Sequence, residues 1–381
     1  MKWPDLKSWI SRSPVAEHAE FRLRHPVPAE PSEFSSALFQ SVGTKMQAGH
    51  RVELLANGTV FDRLEQEIGK ARTSVSIVMY IWEEGRAADR IVAALLERAA
   101  AGVRCRLVID ALGSADFPKV LGPRLTSGGC EVRMFRPSLT TARLSRNHRK
   151  LVIVDGAVVI TGGFGIRDCW LGDGCQPGAW RDTSVVFSGP SVEHAHQAFA
   201  ENWQEAGGEL LSAREFQEPD ATGPTTAAFV SSTASPSVTK AERLTQLLIG
   251  AATRRLWIVN AYFVPSEPIL EQLAARAAAG VDVRILVAGH QSDSKTAFGY
   301  QQLTYGALIE RGVQVWEYQP CMLHAKTMVI DDRLSVVGSI NLDPLSLNTL
   351  DEVAFVMDDV AIASQLERSF VADCGRAERQ T

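Results

Sequence analysis

From residue 59 onward, apolar positions alternate between two kinds of run. One kind repeats every three to four residues, as in VFDRLEQEIGKA and RIVAALLERAAAG, the spacing of one buried helix face. The other is continuously apolar over a short stretch, as in SVSIVMYIW and VRCRLVIDA, the pattern of strands covered on both faces. The order predicted over residues 59–113 is helix, strand, helix, strand. Residues 241–289 repeat it with AERLTQLLIGAA, RLWIVNAYFV, PILEQLAARAAAG and VDVRILVAG. The phrase RAAAGV recurs, and GGCEVRMFRP and ERGVQVWEYQP continue the two copies alike.

Strands alternating with amphipathic helices imply α/β units. The repeat therefore predicts two homologous α/β lobes, each a mixed, mostly parallel sheet flanked by helices. The expected division is an N-terminal arm over 1–44, a first lobe over 45–215, a linker over 216–238 and a second lobe over 239–381. Pro14, Pro26, Pro28 and Pro31 mark the arm, and Pro219 to Ser237 is rich in Pro, Thr, Ser and Ala, as linkers are.

Composition adds bounds. The chain has 381 residues, 45% apolar and 22% charged, enough for a large core. A net charge of -5 argues against a general nucleic-acid coat, which is basic. Six cysteines without a CxxC pair point to reduced thiols rather than a disulfide framework or a metal site. No run reaches the roughly 18 apolar residues of a membrane-spanning helix. The opening MKWPDLKSWISRSP lacks the apolar centre of a signal peptide. Trp3, Leu6, Trp9 and Ile10 there fall at helical spacing beside Lys2, Lys7 and Arg12. Such a helix suits either a membrane surface or the protein's own surface.

The chemistry sits at the same place in each copy. His148, Lys150 and Asp155 form His-x-Lys-x4-Asp, followed after six intervening residues by Gly162-Gly163. His324, Lys326 and Asp331 repeat it, followed by Gly338-Ser339 and then Asn341. Five fixed positions at about one in twenty each match by chance on the order of once in a few million. The segment reads as strand, turn, strand. With a period of two, His and Lys of each motif point the same way. An imidazole beside an ammonium suits phosphoryl transfer, with one group to attack or carry a proton and the other to hold non-bridging oxygens.

On these motifs, with AWRDTSVVFSGPSV, Phe199, Trp203 and LHAKTMVIDDRLSVVGSINLDPLSLN, the chain resembles the phospholipase D superfamily from about residue 50. Within it the chain is similar to the two-motif bacterial cardiolipin synthases of the peripheral kind. The resemblance implies lobes related by a pseudo-twofold axis, with both motifs meeting at one site. It implies a phosphatidyltransferase working through a phosphohistidine on anionic glycerophospholipids such as phosphatidylglycerol. His148, Lys150, Asp155, His324, Lys326 and Asp331 would be its catalytic set, with His148 as nucleophile. Lys150, Lys326, Ser339 and Asn341 would contact phosphate, without metal or cofactor. Asp182 and Glu352, each at the start of a strand after its motif, would orient the histidines. The expected setting is peripheral, on the cytoplasmic side of the membrane, with phospholipid rather than nucleic acid as partner and no oligomeric state specified.

Hydrolytic phospholipase D, a nuclease or other phosphodiesterase of the superfamily, and a retired membrane-binding protein are the competing readings. Intact His and Lys in both copies speak against the last. Gly165 stands where the family has Asn, and Leu345 where it has Arg. Arg143, Arg146 and Arg149 crowd Lys150 as a candidate basic funnel or a solvated loop. Tyr80, Trp82, Tyr262 and Phe263 could line an entrance or belong to the core.

Overall fold

The computed structural model describes residues 21–381 apart from 25, 26, 28, 29, 138–144, 213, 214, 217, 218 and 236. The Trp3–Ile10 segment and Arg143 lie outside the described residues.

The first copy builds β1 (Gln47–Ala56), β2 (Ser74–Met79), β3 (Arg104–Asp110), β4 (Glu131–Phe135), β5 (Leu151–Val154), β6 (Val158–Gly162), β7 (Trp180–Arg181) and β8 (Thr183–Ser188). The second builds β9 (Thr225–Ser232), β10 (Arg255–Asn260), β11 (Asp282–Ala288), β12 (Gln314–Tyr318), β13 (Met322–Leu323), β14 (Thr327–Ile330), β15 (Leu334–Gly338), β16 (Glu352–Asp358) and β17 (Ala377–Arg379). The predicted helices appear as Thr59–Lys70, Arg86–Ala100, Lys240–Ala251 and Glu267–Ala278. They are amphipathic because their apolar positions fall on one face, as with Val60, Phe61, Leu64 and Ile68 of the first.

All strands but β7 and β13 join one sheet in the order β17-β12-β11-β10-β14-β15-β16-β9-β1-β8-β6-β5-β2-β3-β4. Reading outward from the central β9–β1 pair, both halves give the same sequence of equivalent strands as far as β12 and β4, beyond which β17 is added at the edge of the second half. That is the pseudo-twofold arrangement. Parallel pairing is confined to β2–β3–β4 and β10–β11–β12. The remaining pairs of this sheet are antiparallel, so the parallel part is narrower than the repeat suggests. The reason is local. Each motif ends in a tight turn, and tight turns join antiparallel strands.

Strands β2, β5, β14 and β15 are buried along their whole length, as runs of Val, Ile, Leu and Met broken only by Ser and Thr require. Each Val or Ile so buried contributes about 1.5–3 kcal/mol, which fixes the strands beside the site.

Two segments differ from expectation. The stretch read as a linker contains β9, which pairs with both β16 and β1. Its Ala227, Ala228, Phe229 and Val230 are buried, although Thr and Ser around them suggested a loop. The proline-marked arm holds a helix, Pro31–Val42, capped by the Glu30 carboxylate and opened by a proline in its first turn. Phe34, Leu38 and Val42, spaced by four, face the core, where they join a cluster with Leu244 and Leu248 of the helix Lys240–Ala251.

Candidate active site

Each His-x-Lys unit sits just ahead of its motif strand rather than inside it. His148 and Lys150 precede β5, and His324 and Lys326 lie between β13 and β14. The extended backbone there pairs with the opposite half. Asn147 bridges Asp351 in parallel, and the His148 N–H donates to the Asp351 carbonyl at 2.9 Å. Equivalently, β13 pairs with β7 in parallel, and the His324 N–H donates to the Arg181 carbonyl at 2.7 Å. Each motif is thus stitched to the residues just before the other half's acidic strand start.

That stitching crosses the carboxylates over. His148 Nδ1 lies 2.9 Å from Oε1 of Glu352, and His324 Nδ1 lies 3.0 Å from Oδ2 of Asp182. The sequence singles out these four residues but not their pairing. Each imidazole is oriented by the lobe to which it does not belong. A carboxylate at Nδ1 places the ring proton there and leaves the Nε2 lone pair for chemistry.

The groups lie deep. His148 is 7% exposed, His324 3%, Lys150 1% and Lys326 4%. Burial holds both imidazoles below their ordinary pKa, and the nearby lysines lower them further, His324 to about 3. The charge of Lys326 reaches His148, and that of Lys150 reaches His324, so the two motifs share one electrostatic site. Burial also pulls Lys150 well below its usual value and Lys326 down to about 8, opposed by Glu352 and Asp182. Each ammonium donates to its own histidine's carbonyl, Lys150 at 2.6 Å. Each also lies near a tyrosine ring, Lys150 5.3 Å from the centre of Tyr80 and Lys326 6.0 Å from that of Tyr262. Two buried lysines that feel each other's charge in one site call for an anion there.

The two carboxylates are held differently. Glu352 accepts from the hydroxyls of Ser339 and Ser346. Burial pushes it up to about 8 against the pull of Lys150 and those hydroxyls. Asp182 accepts from the Trp170 indole N–H at 2.8 Å on the same oxygen that meets His324. Burial pushes Asp182 up as well, but the His324 contact, Lys326 and the indole together keep it below its ordinary value.

Other expected residues fall elsewhere. Asp155 and Asp331 close the motif turns, with φ of 53° and 54°, a left-handed conformation that Asp tolerates better than most residues. Asp155 accepts the N–H groups of Arg72, Thr73 and Ser74 at 2.8 to 3.1 Å. Asp331 does the same for Thr253, Arg254 and Arg255. Both carboxylates lie beyond a four-residue strand and seven positions from their histidine, roughly 23 Å away at the rise of extended backbone. Ser339 binds the Glu352 carboxylate and the Val353 N–H, so its hydroxyl is already engaged by the scaffold. Asn341 is 3% exposed and its Oδ1 has no partner.

Two of the three basic-funnel arginines are tied into the scaffold. Arg146 pairs with buried Asp110 at 3.0 Å, and Arg149 binds the Ala198 carbonyl and Asn202 at 2.8 Å each. Tyr80 packs edge-on to His148 at 5.0 Å and Tyr262 to His324 at 6.1 Å, while Trp82 and Phe263 are core residues. Sequence reasoning missed Trp170 and Ser346. Trp170 has no counterpart in the repeat, and Ser346 stands in the phrase DPLSLN with nothing to single it out.

A family model described as cardiolipin synthase, PLD-like domain, matches residues 64–169 and 246–374. Cardiolipin synthase A of Pseudomonas putida is 33% identical over 342 residues, spanning 88% of this chain and 70% of that protein. A cardiolipin synthase of Geobacillus sp. is 29% identical over 388 residues, spanning 99% and 74%. Among solved structures, phosphatidylserine synthase of Haemophilus influenzae superposes with a TM-score of 0.68 over 91% of each chain, at 13% identity. Polyphosphate kinase of Porphyromonas gingivalis gives 0.59 over 86% of this chain and 48% of the other, at 12% identity.

Proposed function

The chain belongs to the cardiolipin synthase, phospholipase D-like family, and on that premise we propose that it transfers a phosphatidyl group between anionic glycerophospholipids, joining two phosphatidylglycerols into cardiolipin. The observation that carries the reading is the crossed pairing of His148 with Glu352 and His324 with Asp182, which draws two imidazoles and two ammonium groups into one buried site.

In the proposed reaction the His148 Nε2 lone pair attacks the phosphodiester phosphorus. A P–N bond forms as the P–O bond to the departing glycerol breaks, and His324 gives that oxygen its proton. A hydroxyl of a second phosphatidylglycerol then attacks, His324 takes the proton back, and the P–N bond breaks. Lys150 and Lys326 hold the non-bridging oxygens. His324 is kept neutral by burial and by Lys326. A phosphodiester anion between the lysines opposes both effects and favours the protonated ring. The proton that His324 donates is therefore taken up with the substrate. Asp155 and Asp331 act through the turn they build rather than on the reacting atoms.

Because the substrate resides in a bilayer, we place the enzyme at a membrane surface, on its cytoplasmic side. No helix among the described residues is long and apolar enough to cross a membrane.

The test is to incubate purified protein with labelled phosphatidylglycerol in mixed micelles, with and without EDTA, and separate the lipids. Cardiolipin and glycerol are the expected products in both. Phosphatidic acid alone would mean that water is the acceptor. Cleavage of single-stranded DNA without lipid turnover would replace the lipid reading. Sedimentation with phosphatidylglycerol vesicles tests the membrane placement, and protein left wholly in the supernatant would refute it.

A further inference from the structure

The two half-sites differ most at the support of their carboxylates. In the second half, Ser339 follows the motif's glycine and its hydroxyl reaches Glu352, with Ser346 on the other oxygen. In the first half the equivalent of Ser339 is Gly163, and no side chain fits there. A Cβ on Gly163 would stand 2.4 Å from Asp182 Oδ1 and 2.8 Å from the His324 carbonyl. Gly165, in the place of Asn341, is closed in the same way. A Cβ there would stand 3.0 Å from both Ile81 and the Trp170 ring. The space is taken by the Asp182 carboxylate at Gly163 and by the Trp170 indole at Gly165, and the indole N–H supplies a hydrogen bond to that carboxylate.

Trp170 is well fixed for this task. It ends a short 3-10 turn, Asp168–Trp170, and is 1% exposed. The Asp168 carboxylate accepts the Ala87 N–H at 2.9 Å, which anchors the turn to the start of the helix Arg86–Ala100. The ring meets Trp180 at 4.3 Å and His324 edge-on at 5.3 Å, and Trp180 lies 4.8 Å from His324. The indole N–H and the His324 Nδ1–H converge on one oxygen, Asp182 Oδ2, at 2.8 and 3.0 Å. An indole is a donor only. It therefore favours the ionised carboxylate and cannot rotate to accept, as a serine hydroxyl can.

We propose that Trp170 is a positioning residue. Its indole N–H fixes Asp182, and through Asp182 the orientation of His324, the task that Ser339 and Ser346 perform for Glu352 and His148. The two histidines are thereby served by different devices: on the His324 side a rigid indole donor, with the Thr183 N–H at 2.8 Å on the other carboxylate oxygen, and on the His148 side a pair of rotatable hydroxyls. Gly163 and Gly165 are glycine because the indole and the carboxylate it holds occupy the space of their side chains.

The test compares the full-length protein with Trp170→Phe and with a form carrying at position 170 a tryptophan analogue whose ring nitrogen is replaced by sulfur. The analogue keeps the ring's volume and loses only the donor, so it decides the matter if the phenylalanine variant folds poorly. Histidine side-chain NMR reads the Nδ1–H protons without substrate. In the altered proteins the His324 proton should exchange at least about tenfold faster, with the His148 proton unchanged. Ser339→Ala should produce the mirror result. The kinetic arm rests on the proposed lipid transfer, where kcat should fall about 10- to 100-fold with KM within about twofold. If the wild type transfers no lipid, that reading fails and the NMR arm still decides this one. Unchanged protection at His324, or equal loosening at both histidines, would overturn the positioning role.

Discussion

At the scale of single residues, the site rests on groups whose charge is unwelcome where they sit. Either histidine replaced by alanine should lower phosphatidyl transfer by about three orders of magnitude or more, read as product formed per minute. Asp182→Asn and Glu352→Gln should each cost roughly 10³–10⁴-fold, by the logic that a carboxylate fixes the imidazole's tautomer. Stability should respond to acid. In the unfolded chain each imidazole takes up a proton below about pH 6.5. In the folded protein burial keeps both neutral to much lower pH, His324 to about 3. The unfolded state thus binds more protons across that window, and stability is lost as pH falls through it. Thermal melts between pH 7 and pH 4 should show this decline, and the double variant His148→Gln/His324→Gln should flatten it. An equal slope in both proteins would mean that other groups govern the acid limb.

At the scale of elements, the repeat was legible because continuous apolar strands and amphipathic helices follow from residue order alone. The helix expected from VFDRLEQEIGKA spans Thr59–Lys70, and the strand expected from VDVRILVAG spans Asp282–Ala288. Strand β9 was not legible, because its small and hydroxyl residues lie between partners on both sides and need not be large to be buried. The crossed pairs were not legible either, since periodicity reports which face a side chain takes, not which distant strand supplies its partner. The motif aspartates show the same gap. Spacing marks them as part of the motif, and only the turn reveals that each caps three backbone N–H groups. Asp155→Ala should therefore lower unfolding free energy by about 1–3 kcal/mol in urea titrations. Activity per folded molecule should fall far less than in the histidine variants. A loss as deep as theirs would return Asp155 to the reacting groups.

At the scale of the whole molecule, the halves share a sheet through β1 and β9 and are bolted together behind the site. Arg181, next to Asp182, pairs with Asp373 of the last helix at 2.9 Å, both largely buried. Asp373→Ala leaves a buried guanidinium unpaired and should cost about 3–5 kcal/mol. It should also lower transfer, because Arg181 borders the carboxylate that orients His324. A urea midpoint that does not move would show the pair to be dispensable.

The crossed pairs also carry a schedule. A ribosome delivers His148 long before Glu352, and Asp182 long before His324, with 204 and 142 positions between the members of each pair. Until Glu352 is made, the first lobe's histidine has no carboxylate. His324 finds Asp182 already made, whereas His148 waits for Glu352, so both histidines are paired only once residue 352 has emerged. On the proposed reaction, a copy that stops short of Glu352 is expected to transfer no lipid, so activity arrives only with the second lobe.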